Sequence, residues 1–267
     1  EAVNLRVSYA GGYRAPQAFD EDMHIAIVGG KRVRIRLADD LREERSHSVS
    51  LSADLYHTFG KVQTNLLVEG FYTILDDVFA LRDMDDAADG GKVKERYNGS
   101  GATVRGFNVE GRAAFTRWFE LQAGVTLQQS RYKEPEFWSE DAEVPPVRRM
   151  FRTPDTYGYF TASFKPVRNF TADLSGTCTG SMLVQHMAGS GVAQDVAVST
   201  PSFFDMNIRL SYDVRIYKEI TMQLYGGVQN LFNAYQKDFD KGVDRDSGYI
   251  YGPSLPRSWF VGAKFSF

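Results

Sequence analysis

Leu255-Pro256-Arg257-Ser258-Trp259-Phe260-Val261-Gly262-Ala263-Lys264-Phe265-Ser266-Phe267 closes the chain, and its alternation decides the fold. Trp259, Val261, Ala263, Phe265 and Phe267 fall on one face of a strand; Gly262, Lys264 and Ser266 fall on the other. The pattern runs to the last residue with no polar tail. Chain ends of soluble domains usually fray into water. The last strand of a closed membrane barrel must instead pair with the first and face lipid. An edge strand of a soluble β-sandwich is the competing reading of this segment alone.

Working back from that end, the same period-two pattern recurs in about ten segments long enough for a tilted spanning strand, ~9–11 residues. Ile220, Met222, Leu224, Gly226 and Val228 share one face, as do Phe204, Met206, Ile208, Leu210, Tyr212 and Val214 against Asp205, Asn207, Arg209, Ser211, Asp213 and Arg215. Phe170–Cys178 and Phe160–Phe164 follow, then Leu121–Leu127 and Phe107–Phe115. A longer segment of less regular register runs from Val62 to Ala80, and Val49–Leu55 and Val3–Tyr9 complete the set. No helical stripe of comparable length competes.

The connections alternate in length. Short turns fall near His57–Lys61, Thr116–Trp118, Lys165–Asn169 and Ile216–Glu219. Long polar connections fall near Gly11–Ser46, Arg82–Gly101, Arg131–Asp155, Ser181–Pro201 and Asn233–Ser254. In a bacterial outer-membrane barrel the periplasmic turns are short and the external loops long. With the C-terminus on the periplasmic side, each short turn lands there and each long loop lands outside.

Composition sets bounds. The 267 residues are 43% hydrophobic, and no window approaches the ~18 apolar residues of a membrane helix. A net charge of −3 gives no reason to expect nucleic acid. Cys178 is the only cysteine, so neither an intrachain disulfide nor a cysteine metal cluster can form. The chain opens on Glu1 with no leader ahead of it, and an exported barrel needs one, so the expectation is a segment of a longer protein.

Several short motifs stand in a fixed order. Ser8-Tyr9-Ala10-Gly11-Gly12-Tyr13-Arg14-Ala15-Pro16 resembles S-x-G-x-x-F-R-A-P, with Tyr13 in the Phe place, and Asp40–Ser46 is similar to N-L-K-P-E-x-S without its Pro. Arg152-Thr153-Pro154 matches R-x-P, Val228-Gln229-Asn230-Leu231-Phe232-Asn233 matches V-x-N-L-F-N/D, and Pro256–Phe267 resembles the closing P-R-x-x-x-x-G-x-x-x-x-F. Together they resemble the C-terminal half of the barrel of a TonB-dependent outer-membrane receptor. The resemblance implies an all-β, antiparallel up-and-down transmembrane barrel of which residues 1–267 are the C-terminal part, with the plug domain and the N-terminal strands absent. It implies import of a scarce nutrient (siderophore-iron, haem, cobalamin or an oligosaccharide) across the bacterial outer membrane. The partners it implies are outer-membrane lipid, the small-molecule nutrient, and TonB acting through the missing N-terminal region. Two alternatives stay open: a passive porin or small barrel enzyme, and a soluble β-sandwich binding module.

Catalytic signals are thin: no G-x-S-x-G, H-E-x-x-H, Walker loop or G-x-G-x-x-G occurs. No enzyme activity and no cofactor are expected. His24, His47, His57 and His186 lack metal-ligand spacing. His24 and His186 sit in or beside long loops, either as exposed imidazoles or where a haem receptor places an axial ligand. Asp83, Asp85, Asp86 and Asp89, and Asp238, Asp240, Asp244 and Asp246, read as solvated acidic loops or as a calcium site without EF-hand spacing. Phe137, Trp138, Tyr249 and Tyr251 are candidates to stack on a ligand, or belong to the aromatic girdle at the membrane boundary. Arg148 and Arg149, with Arg152, attract an anionic ligand or simply balance Glu134, Glu136, Glu140 and Glu143 in a loop stiffened by Pro145-Pro146.

Overall fold

The computed structural model describes residues 2–17, 33–85, 92–115, 117–139, 141–217, 219–253 and 255–266. Ten strands make one antiparallel wall: β1 (Ala2–Arg14), β3 (Glu44–Phe59), β4 (Val62–Asp76), β7 (Ala102–Phe115), β8 (Phe119–Glu136), β10 (Thr156–Phe164), β11 (Phe170–Thr179), β14 (Phe203–Tyr217), β15 (Ile220–Gln229) and β16 (Ser258–Ser266). The other six lie in the connections: β2 (Val33–Leu37), β5 (Phe79–Met84), β6 (Lys92–Asn98), β9 (Val147–Arg149), β12 (Leu183–His186) and β13 (Val196–Ser199). In the wall each strand pairs with its neighbours in chain order, from β1 at one edge to β16 at the other.

Register turns the alternation into two chemically distinct faces, because residues directly opposite in an antiparallel pair share a side. One row crosses Leu5, Ala53, Val68, Val109, Val125, Gly158, Cys178 and Phe204. A second crosses Ala113, Leu121, Ala162, Leu174, Ile208, Val228 and Trp259. The face is apolar from edge to edge and lies open: Val7 is 75% exposed and Val261 89%. A soluble sandwich needs a second sheet over that face, and among the described residues none lies there. A hydrocarbon surroundings satisfies it instead. At the tightest point the Phe160 ring lies over Gly176, where a Cβ would come within 2.3 Å of Cε1, so the opposing strand needs glycine there.

The four short turns gather at one end. Phe59 pairs with Val62 across Gly60-Lys61, and Gly60 has φ 62°, the left-handed conformation glycine supplies at the head of a two-residue hairpin. Ser266 pairs with Thr221 beside the β14–β15 turn, so the final strand also ends there. Phe115, Trp118, Phe119 and Phe164 form an aromatic cluster at that end, with ring centroids 5.4–6.5 Å apart.

At the opposite end the long connections hold more structure than polar loops. The segment expected over Val62–Ala80 breaks at Asp77, whose φ of 55° turns the chain out of the wall, and resumes as β5. β5 and β6 form an antiparallel hairpin, and β2 adds to β6 in parallel. β8 continues to Glu136, beyond the proposed loop start at Arg131, and carries β9 on its flank. β12 and β13 form a separate hairpin.

Asn230 explains why the V-x-N-L-F-N motif needs its first asparagine. It ends β15 at φ 49°, is 2% exposed, and donates Nδ2 to the Ala234 and Leu255 carbonyls while Oδ1 accepts the Ala234 N–H. Asparagine tolerates this left-handed conformation and alanine does not, at a difference of about 1–2 kcal/mol. Asn230→Ala should therefore lose more protection at the Ala234 amide in hydrogen exchange than Asn230→Gly. Equal loss in the two variants would show that the side-chain bonds alone matter.

Candidate functional site

The wall's second face is polar and knitted across strands. Tyr159 Oη donates to Glu110 Oε2 at 2.6 Å, Gln122 Nε2 donates to Tyr159 Oη at 2.8 Å, and Arg112 Nε donates to Glu110 Oε1 at 2.9 Å. Thr126 donates to Asn108, which donates in turn to Glu69. Arg209 donates to Gln223 at 3.0 Å and lies 4.6 Å from the centre of the Tyr225 ring. A hollow of about 640 Å³ opens on this face, bordered by Tyr56, Asn65, Arg112, Gln122, Ser163 and Asp173. Such a face suits a water-lined lumen or a polar protein surface.

At the long-connection end, three connections interlock into one block. Its core is Val184, Phe203, Tyr249 and Tyr251, the principal buried apolar cluster of the described chain. The β12–β13 hairpin meets the 230–257 connection through His186, whose Nε2 lies 3.0 Å from both Asp240 carboxylate oxygens and whose ring stacks on Tyr249 at 3.7 Å and 5°. Asp240 also accepts the Asp246 N–H, and Asp246 accepts the Met187 and Gly248 N–H groups. Tyr249 and Tyr251 both donate to Asp238, at 2.8 and 2.6 Å. The third connection joins through Arg152, which donates to the Ile250 and Gly248 carbonyls, and through Ser139, which donates to Asp195.

Burial pushes the Tyr251 phenol far above its ordinary 10.0, reinforced by its bond to Asp238, and Tyr249 rises for the same two reasons. A phenol whose folded pKa is raised contributes stability that is whole below the unfolded value and is lost as pH climbs through the folded one. The loop block should therefore loosen only above pH 10, with Tyr249 and Tyr251 ionising above their ordinary pH in an ultraviolet titration. Ionisation of both at their ordinary pH would contradict the burial argument.

The structure redistributes the residues singled out by sequence. Tyr249 and Tyr251 are 3% and 6% exposed, so they form the core of the loop block; neither a stacking face nor a girdle position is open to them. Trp138 packs edge-on to Phe151 at 5.4 Å within the loops, and Phe137 is 74% exposed. The arginines do not converge. Arg148 lies 3.6 Å from Glu134, Arg149 bonds the Ser181 carbonyl and Asp155, and Arg152 serves the 230–257 connection. His186 is buried and paired, so it is neither an exposed imidazole nor an open ligand; His24 lies outside the described residues. His47 bonds the Tyr9 hydroxyl at 2.8 Å. Asp238, Asp240 and Asp246 accept protein donors. Among the described residues no three His, Cys, Asp or Glu side chains gather as a metal set. Asp86 and Asp89 lie outside the described residues. The His186–Asp240 pair had no sequence signal, its members being 54 residues apart.

The family described as TonB dependent receptor-like, beta-barrel matches residues 1–231. The chain belongs to that family. Its wall is a portion of a TonB-dependent receptor barrel, and its place is the bacterial outer membrane. Similar solved structures include the ferric-catecholate import receptor Fiu of E. coli K12, at 16% identity and a TM-score of 0.61 over 98% of this chain and 32% of that one. The siderophore receptor PirA of Acinetobacter baumannii gives 16% identity and 0.62 over 99% of this chain and 39% of that one. The FrpB iron transporter of Neisseria meningitidis gives 14% and 0.61, over 98% and 36%. This chain spans about a third of the length of the receptors it resembles. No curated protein matches the sequence.

Proposed function

We propose that this TonB-dependent receptor segment forms part of the wall and the external loops of a nutrient importer. The interlocked loop block at the end opposite the short turns carries this reading, because it presents a preformed rim above a polar wall. A preformed rim spares a solute the entropy of ordering loops on binding. The nutrient is a siderophore-iron complex, haem, cobalamin or an oligosaccharide, and passage is driven through TonB by way of a plug domain encoded upstream. Phe137 and Arg148, which project from the outer connections, are the proposed first contacts, with Trp138 and Arg149 shaping the ground beneath them. These residues bind and position; no catalytic step is assigned to them.

The test is uptake by cells producing the full-length protein, with each nutrient class labelled in turn, in strains with and without TonB. Accumulation of one class only when TonB is present supports the proposal. Uptake that ignores TonB and follows the outside concentration would favour a passive pore.

A further inference from the structure

The apolar face changes character near the long connections. Phe107 still shares a row with Gly70 and Leu127, and all three lie on the apolar side with Val109. One step outward, a single row crosses Tyr9, Val49, Tyr72, Arg105 and Gln129, with both tyrosines and Arg105 exposed. The next row ends in Thr103 opposite Arg131, and Lys133 lies beyond it on the same side of β8. Arg105 and Arg131 are therefore diagonal neighbours across the β7–β8 pair, about 7–8 Å apart along the backbone. Their charges lack acids. Arg105 donates to the neutral Gln129 Oε1 at 2.9 Å, and no hydrogen bond or ion pair among the described residues engages the exposed Arg131 side chain. The carboxylates on this side are taken: Asp76 by Lys133, and Glu43 by Arg45. Across β9 Arg131 faces a further arginine, Arg149, which Asp155 holds.

We propose that Arg105 and Arg131 clamp the phosphate of a lipid in the leaflet bordering the long connections. Depth supports this. Phe115, beside the short turns, and Arg105 stand at opposite ends of β7. The ten residues of strand between them rise roughly 34 Å, or about 25 Å along the membrane normal at a tilt of ~40°. That is the height of the apolar band of such a barrel, so Arg105 emerges at its outer boundary. Tyr9 and Tyr72 in the same row are the amphipathic rings that settle at headgroup level. Below the pair, Phe107 and Leu127 are 62% and 53% exposed and lie where the acyl chains of the same lipid would run. Two guanidinium forks match phosphate oxygens at this spacing. The inference rests on the outward face of the wall and is independent of which nutrient is imported.

The test uses the full-length protein in detergent micelles with lipid A, the phosphorylated glycolipid of that leaflet, and with the same lipid stripped of its phosphates. Bound lipid is read by native mass spectrometry. Each cation near an anionic headgroup is worth roughly fivefold in binding, about 1 kcal/mol. The wild type should prefer the phosphorylated form, and Arg105→Gln/Arg131→Gln should lose roughly twenty-five-fold of that preference. Arg131→Gln alone should lose about fivefold, which keeps the test decisive if the double variant fails to fold. Arg168→Gln, in the β10–β11 turn at the other end, should change nothing. An unchanged preference in the Arg131 variant would overturn the proposal, and so would equal binding of the two lipids by the wild type. Complete displacement of the lipid by inorganic phosphate would overturn it too, marking a site for small anions only.

Discussion

Phe160→Arg should cost the assembled barrel roughly 2–4 kcal/mol, while Thr161→Arg, one residue further on, should stay within about 0.5 kcal/mol. Phe160 lies mid-strand in β10 on the apolar face, stacked on Phe204 at 6.3 Å and 18° and covering Gly176. A guanidinium there must be buried in hydrocarbon or drag water and headgroups toward it. Thr161 is exposed on the polar face, in the row of Gln122 and Ser175, where an added charge remains hydrated. Denaturant titration of the full-length protein folded into lipid vesicles measures the difference. Similar losses at both positions would reverse or abolish the assigned faces. The same logic applies at the closing strand: Phe265→Asp should impair assembly far more than Lys264→Asp.

The second large effect is expected in the loop block. Asp240→Ala leaves the His186 ring and the Asp246 N–H buried without their acceptor, a loss of about 3 kcal/mol to the local structure. The wall does not depend on this pair, so the barrel should fold while the connections at 187–195 and 236–249 become open to protease and hydrogen exchange. Burial pushes the Asp240 carboxyl up, but the Asp246 N–H and His186 outweigh it and hold its pKa below the ordinary 3.8. Sign follows from that direction: a carboxyl with a depressed folded pKa contributes its stability above the unfolded value and loses it as pH falls through the folded one. The block should thus hold through mild acid and open only below pH 3.8. Opening at mildly acidic pH in the wild type would show that Asp240 does not anchor it.

The ten wall strands were legible because a spanning strand must keep one face apolar against lipid, and that requirement writes alternation into the sequence. Leu210, Tyr212 and Val214 announce their side before any partner is known. Nothing comparable disciplines the connections. β2, β9, β12 and β13 have five residues or fewer, meet water and protein rather than lipid, and leave no pattern long enough to read. Asp77 bends the chain through a conformation that no neighbouring residue demands. Tyr249 and Tyr251 looked like surface aromatics because the side chains that bury them come from other connections, far away in sequence. Long-range side-chain pairing is where reading from local pattern stops.

The parallel pairing of β2 with β6 gives the segment a chronology. Each wall strand joins the one before it, so the meander can grow hairpin by hairpin as the chain is supplied. Val33 pairs with Lys92 although β3 and β4, which go down the wall and back, lie between them in sequence. Contacts between distant stretches close slowly. The patch that joins the first two outer connections is therefore expected to close after the wall strands between them, and a lengthened turn at Gly60-Lys61 should delay it while leaving its final form intact.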